Sequence, residues 1–275
     1  MRPNRRPPAP REARAMTSRR WPYAAAVLLG CAWALLAHAP ASWVASAVAR
    51  ASGRHVLLSN AQGSWHDGRA LVVLSAGPQG RDASTLPGLL SWKLGFGRLW
   101  AGAVDLRLSW PPLAAQALRA RLEPGFGGWS LEQQGGPWLA AFPASLLEGL
   151  GTPWNTLAPQ GLVHLRLQQL RLRSAAGRLD LQGRLRADAM DMSSRLSTLS
   201  PLGSYRVEVD GRGGTAGVAL STLSGSLILA GDGVWNGQRM QFSGTARAAP
   251  GREQALATLL GLLGRREGDH VRIGL

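Results

Sequence analysis

Residues 162–173 read LVHLRLQQLRLR, and this stretch decides the fold class of the chain. Apolar and polar residues alternate as far as Leu167, which is typical of a strand with one apolar face and one polar face. The leucines from Leu170 onward have the opposite parity, because Gln168 and Gln169 interrupt the alternation. A β-bulge or a short turn at the two glutamines would produce this change of parity.

Similar short alternating stretches lie on both sides of this segment, and most are separated by glycine-containing turns. They recur about every 10 to 12 residues, a spacing that consecutive hairpins produce. The sequence therefore predicts a mainly β protein with an elongated, mostly antiparallel, meandering sheet. The predicted strands lie within residues 56–75, 91–110, 162–188, 205–209, 218–220, 227–229 and 240–246.

Two segments depart from this pattern and predict helices. Residues 143–150 (PASLLEGL) form a short helical turn, and residues 252–264 (REQALATLLGLLG) form a C-terminal helix of about three turns. Leu256, Leu259 and Leu260 recur at helical spacing and form an apolar stripe. This stripe either caps one end of the sheet or receives a partner or the membrane surface.

The N-terminal region contains a candidate membrane span. Residues 21–39 (WPYAAAVLLGCAWALLAHA) have no formal charge, and 19 helical residues reach about 28 Å, close to the ~30 Å hydrocarbon core. Seven arginines and one acid, Glu12, precede the span, and arginine-rich flanks usually stay in the cytoplasm. We therefore expect a single-pass protein of a bacterial inner membrane, with a cytoplasmic N-terminus and a periplasmic C-terminal domain. The main apolar anchor residues are Trp21, Val27, Leu28, Leu29, Trp33, Leu35 and Leu36.

The predicted organisation has four parts, with alternatives at the N-terminus. They are a disordered basic tail (1–20), a transmembrane helix (21–39), a juxtamembrane segment (40–55) and a periplasmic β-rich domain (56–275). The juxtamembrane segment would continue the helix or lie at the membrane interface, with Trp43 at headgroup depth. A cleaved signal peptide is the competing interpretation, since small-residue sites occur at 37–39 and 45–47. Met16 is an alternative start.

Composition argues against several functional classes. Of the net charge of +15, residues 1–20 carry +6 and the remaining +9 is spread along the chain. Lys93 is the only lysine and no recognition module accompanies the arginines, so we expect no nucleic-acid partner. The single cysteine, Cys31, excludes a disulfide scaffold. The five histidines have no metal-ligand spacing, and Ser64, His66 and Asp67 share one turn. We therefore predict no metal, no cofactor and no enzymatic activity.

Several motifs resemble a known bacterial family. These motifs are residues 153–161 (PWNTLAPQG), 199–205 (LSPLGSY), 225–235 (GSLILAGDGVW) and 262–266 (LLGRR). Together with the apolar span, they are similar to the general secretion pathway protein N family of the type II secretion system. The resemblance implies an inner-membrane protein with a periplasmic β-rich domain and no catalytic residues. It also implies a fold-level similarity to elongated β proteins that carry lipid between bacterial membranes.

The predicted function is that of a non-catalytic component of the type II secretion system, which exports folded proteins. Its β domain would bind other proteins of that system, through unpaired sheet edges or exposed side chains. The candidate partner surface comprises Trp154, Asn155, Leu256 and Leu260. The alternative is an inner-membrane protein whose periplasmic β-groove binds lipid or another hydrophobic ligand.

Overall fold

The computed structural model describes residues 23–28, 30, 38–125, 127–175, 178–236, 239–267 and 270–274. It divides into two compact units, Met1–Ala39 and Pro40–Leu275. The second unit is mainly β, as predicted, and it begins well before residue 56.

The predicted anchor lies mostly outside the described residues. Residues 23–28 are helical, and the side chains of Val27 and Leu28 are 64% and 70% exposed. Trp21, Leu29, Trp33, Leu35 and Leu36 lie outside the described residues, as does the basic tail. Within the part of the chain that the structure describes, no helix combines the length and apolar character needed to cross a bilayer. The transmembrane helix therefore stays a prediction.

The described residues of the second unit form one antiparallel sheet of 16 strands. The strands are β1 (Val56–Gly63), β2 (Asp67–Ser75), β3 (Ala83–Thr85), β4 (Leu90–Gly95), β5 (Val104–Ser109), β6 (Leu118–Gly125), β7 (Gly128–Gln134), β8 (Trp138–Pro143), β9 (Pro159–Ala175), β10 (Arg178–Ser194), β11 (Gly203–Gly213), β12 (Ala216–Gly225), β13 (Leu227–Trp235), β14 (Met240–Ala248), β15 (Arg265–Glu267) and β16 (His270–Gly274). Their order is β1-β2-β4-β5-β6-β7-β9-β10-β11-β12-β13-β14-β16-β15, while β3 pairs with β2 and β8 pairs with β9.

The helices are short and lie outside this sheet. They are α1 (Ser42–Ala51), α2 (Trp154–Leu157) and α3 (Glu253–Leu263), with 3-10 helices at Leu99–Ala101 and Ala144–Leu150. The C-terminal helix and the helical turn after residue 143 were both predicted. The predicted juxtamembrane segment is not one continuous element, because Pro40 forms a β-bridge with Ser64 and α1 starts only after it.

The change of parity in residues 162–173 proves to be a β-bulge. Strand β9 continues through it for 17 residues, with Gln169 in the left-handed region at φ 53°. Between the pairs Gln182–Arg171 and Arg184–Gln168, β9 advances one residue more than β10. The extra residue returns the leucines on both sides of Gln169 to one face of the sheet. Leu167 therefore faces the same side as Leu172.

Three buried clusters pack helices and loops against parts of this sheet. Near α1, Ala41 packs with Ala70 and Trp92. Beside the Ala144–Leu150 helix, loop residues pack on β2. Under α3, leucines of the helix pack on the beginning of β11 and on β13. Two of the clusters therefore lie on the first strands of the sheet, and the third lies on strands β10 to β13. The middle strands extend beyond these clusters.

Candidate functional site

The central strands β9 to β12 present a continuous row of apolar side chains. Directly paired residues of antiparallel strands project to the same face. Leu185 is paired with Leu167 on one side and Val209 on the other, and the row continues to Val218 of β12. A second row beside the first runs from Leu165 through Ala187 to Val207. We call these residues the open apolar face: Leu165, Leu167, Leu185, Ala187, Val207, Val209 and Val218.

All residues of the open apolar face are only half-buried. In contrast, Val163 and Tyr205, which lie on the same strands near the helices, are 7% and 8% exposed. For Tyr205 the difference follows from the position of α3, whose buried Leu256 and Leu259 belong to the same cluster. The apolar face therefore remains partly accessible beyond the helices, and soluble proteins rarely leave such a surface without a ligand or partner.

The opposite face of the same strands is charged, and many of its charges are paired. Arg206 donates to Asp188 through Nε and Nη2, at 2.6 and 3.1 Å, and both side chains are less than one-third exposed. Hydrogen bonding from Arg206 lowers the pKa of Asp188, although burial opposes this shift. Arg186 pairs with Glu208 at 2.6 Å. This pairing reduces the net positive field that the arginines could offer to an acidic partner.

An open cavity of about 610 Å³ lies beside β8. Leu113 and Leu139 line its apolar wall, while Arg186 and Asp188 line its polar wall. Both charged residues are already engaged in ion pairs with residues of β11. His164, the cross-strand neighbour of Asp188, also lines the cavity, so the polar wall combines an exposed histidine with two side chains that are engaged in ion pairs.

The Ser64, His66 and Asp67 cluster forms a turn between β1 and β2. The Ser64 hydroxyl accepts a hydrogen bond from the Asp67 N–H at 3.1 Å, and the Asp67 carboxylate pairs with Lys93 at 3.2 Å. The His66 ring instead packs against Phe96, with ring centroids 6.1 Å apart. This geometry differs from a catalytic triad, in which the acid orients the base. Among the described residues, no group of three or more His, Cys, Asp or Glu side chains is arranged to hold a metal ion.

The predicted partner-surface residues belong to two helices, α2 and α3. Trp154, at the start of α2, is 38% exposed. Asn155 donates from Nδ2 to Asp82 Oδ2 at 2.7 Å and so connects α2 to the loop after β2. Leu256 is completely buried and Leu260 is half-buried on α3. Placing Leu256 on a partner surface was therefore wrong, because its side chain fills the core under the helix.

Sequence reasoning did not identify the open apolar face as a site. The alternation in residues 162–173 and 177–188 predicted that one face would be apolar. The missing information was which part of that face the helices cover. That coverage depends on contacts between residues far apart in the chain, such as Leu256 with Tyr205.

Comparison with known proteins identifies a family for this chain. The family model described as type II secretion system (T2SS), protein N, matches residues 54–273. No curated protein and no solved structure matches the chain. The family match extends from just before β1 into β16 and so covers all of the sheet except Gly274. The chain belongs to the type II secretion system protein N family.

Proposed function

We propose that this protein is a non-catalytic, inner-membrane component of the type II secretion system, and that its periplasmic β domain binds another protein of that system. Family membership supports the secretion role. The observation that carries the binding role is the open apolar face, where half-buried leucines and valines line the middle of the sheet. Covering such a surface with a partner would remove apolar area from water and stabilise the complex.

The location is proposed from the charge pattern of the N-terminal region. Seven arginines precede the uncharged residues 21–39, and this asymmetry favours a cytoplasmic N-terminus. The domain beyond Pro40 would then lie in the periplasm, where it can meet other secretion-system proteins. A fluorescent reporter that matures only in the cytosol and a phosphatase active only in the periplasm, each fused after Leu275, test this topology. We expect phosphatase activity alone, and cytosolic fluorescence would contradict the proposal.

Two neighbouring residues provide a matched test of the open apolar face. Val218 lies on this face, whereas Ala219 is exposed on the charged face, between Glu208 and Asp232 of the adjacent strands. Val218→Lys places a charge on the apolar face, and Ala219→Lys places the same charge beside two acids. In cells that lack the native protein, we expect Ala219→Lys to restore secretion and Val218→Lys to fail.

The secretion assay needs a measurement of folding to be decisive. Both variants should accumulate to the level of the unmodified protein and show the same thermal unfolding midpoint. Equal secretion with both variants would overturn the proposed role of the open apolar face. Failure of the unmodified protein to restore secretion, in a strain that depends on this system, would overturn the secretion role itself.

A second candidate function is the binding of lipid or another hydrophobic ligand. The same half-buried leucines favour it, because acyl chains also bind to apolar surfaces of sheets. Mass spectrometry of the protein extracted from membranes with a mild detergent would distinguish the two functions. Stoichiometric lipid that is lost in Val218→Lys and retained in Ala219→Lys would support this candidate over a protein partner.

A further inference from the structure

We propose that the loop between β4 and β5 docks in the headgroup region of the membrane that residues 21–39 are predicted to span. We call residues 96–103 the aromatic loop. This inference rests on the proposed membrane anchor, and it adds a second membrane contact made by the β domain itself. The partner is the lipid surface.

The chain enters the β domain close to the aromatic loop. Pro40 is the first residue after the predicted span, and it forms a bridge with Ser64 in the turn between β1 and β2. The next residue, Ala41, donates its N–H to the Gly63 carbonyl at 3.0 Å. If residues 21–39 span the bilayer, Pro40 lies at the membrane surface, since it follows the span directly. The β1–β2 turn is then held at that surface as well.

The aromatic loop lies beside this turn, at the same end of the sheet. Lys93 pairs with Asp67, so β4 ends where β2 begins. The Trp65 and Phe96 rings, from the turn and the loop, have centroids 5.6 Å apart. The Trp92 indole also donates from Nε1 to the Trp65 carbonyl at 3.0 Å. These contacts fix the loop next to the point where the chain would leave the membrane.

The tip of the aromatic loop exposes two large apolar side chains. Leu99 is 58% exposed and Trp100 is 88% exposed, on the 3-10 helix Leu99–Ala101. The Trp100 indole donates from Nε1 to the Gly97 carbonyl at 3.0 Å, so its polar group is satisfied within the loop. The apolar ring remains available to lipid. Tryptophan is enriched at the boundary between headgroups and acyl chains, where such an amphipathic ring is favoured.

The charges around the loop are paired within the domain. Arg98 lies 3.6 Å from the Asp105 carboxylate, and Lys93 lies 3.2 Å from that of Asp67. Since Arg98 and Lys93, the basic residues that lie in the loop and just before it, each have an acidic neighbour, the loop itself offers little net charge to anionic lipids. Contact with the membrane should therefore depend on apolar insertion and should change little with the anionic lipid content.

The test uses the full chain in vesicles of phosphatidylethanolamine and phosphatidylglycerol at two ratios. In a Cys31→Ser background, Trp100→Cys receives an environment-sensitive fluorophore, and vesicle lipids with a nitroxide near the headgroup quench it on contact. Leu223→Cys is the control. Leu223 is 42% exposed and lies near the end of β12 that is farther from the aromatic loop. The native Cys31, labelled alone and tested with lipids that carry the nitroxide near the end of the acyl chain, reports on the anchor, since Cys31 lies near the middle of the predicted span.

We expect emission from position 100 to fall roughly twofold relative to position 223, equally at both lipid ratios, since interfacial residues lie at headgroup depth. Leu99→Cys should behave like Trp100→Cys. Agreement between the two positions would show that the quenching does not come from a folding defect of one variant. Quenching at Cys31 without quenching at positions 99 and 100 would overturn the loop contact and leave the anchor intact. A lack of quenching at all three positions would overturn both. Quenching that requires the anionic lipid would also contradict the proposed apolar insertion.

Discussion

Gly183 of β10 lies directly against Gln169 of β9: a Cβ atom on Gly183 would lie 2.5 Å from the Gln169 carbonyl oxygen. Both residues have positive φ, 114° for Gly183 and 53° for Gln169. The bulge that aligns the leucines of β9 on one face therefore requires a glycine on the neighbouring strand. Without the bulge, the leucines of β9 beyond Gln169 would face the charged side, so this pair of residues keeps Leu172 on the same side as the open apolar face.

The Gly183→Ala substitution tests this requirement. The methyl group would clash with backbone, and φ 114° is unfavourable for alanine, so we expect a loss of about 1–3 kcal/mol in the free energy of unfolding. Gly217→Ala on β12 is the control, since nothing lies within 4 Å of its added Cβ and its φ is not in the positive range. Chemical denaturation followed by circular dichroism compares the two variants. Equal stability of both variants would show that the bulge tolerates a side chain.

The C-terminal helix gives a second prediction, based on two of its own leucines. Leu256 is completely buried, whereas Leu262 on the same helix is 57% exposed. Leu256→Ala should lower the free energy of unfolding by about 2–5 kcal/mol, through lost burial and a cavity. Leu262→Ala should change it by less than about 0.5 kcal/mol. If the two substitutions had similar effects in denaturant titrations, α3 would not be packed on the cluster of Tyr205.

The ion pair between Asp188 and Arg206 predicts a pH dependence of stability. Because the hydrogen bonds from Arg206 lower the pKa of Asp188 in the folded state, the pair stabilises the protein above the unfolded carboxylate pKa of about 3.9. This contribution is lost as the pH falls through the lower folded pKa. Asp188→Asn should therefore be less stable than the unmodified protein at pH 7, and the difference should shrink below about pH 4.

Asp210→Asn is the control for this prediction. Asp210 pairs with Arg212, whose side chain is 78% exposed. Removing the Asp210 charge should therefore lower the stability at pH 7 less than removing the Asp188 charge. Thermal unfolding of the three proteins across the acidic range provides the comparison. The difference in unfolding midpoint between Asp188→Asn and the unmodified protein should shrink at low pH. If it stayed constant from pH 7 down to pH 3, the lowered pKa of Asp188 would not contribute to stability.

Much of the sheet could be predicted from the sequence, because its alternation is local. The pairs β1–β2 and β4–β5, the long strands β9 and β10, and the helix α3 all follow from patterns within about 20 residues. Strands β3, β6, β7, β8, β15 and β16 were not predicted. In β8, the segment WLAAFP lacks alternation, and the strand exists because it pairs with the first half of β9.

The candidate site was harder to predict, because accessibility is a tertiary property. Helical spacing marked Leu256 and Leu260 as one apolar stripe, but spacing alone does not say which leucine meets the sheet. Similarly, alternation shows that Val209 and Tyr205 share a face, while only the position of α3 makes Tyr205 buried and leaves Val209 half-buried. The hydrogen bond from Asn155 to Asp82 joins residues 73 positions apart, beyond the reach of any local pattern.

The most direct test of the central claim is photo-crosslinking in living cells from Val218, with Ala219 as the matched position on the charged face. A photoreactive phenylalanine analogue replaces each residue in turn in the full chain, and the crosslinked products are identified by mass spectrometry. We predict that the analogue at position 218 forms a covalent adduct with another type II secretion protein and that the analogue at position 219 does not. Adducts with no secretion protein from position 218, or equal adducts from both positions, would contradict the claim that the open apolar face binds the partner.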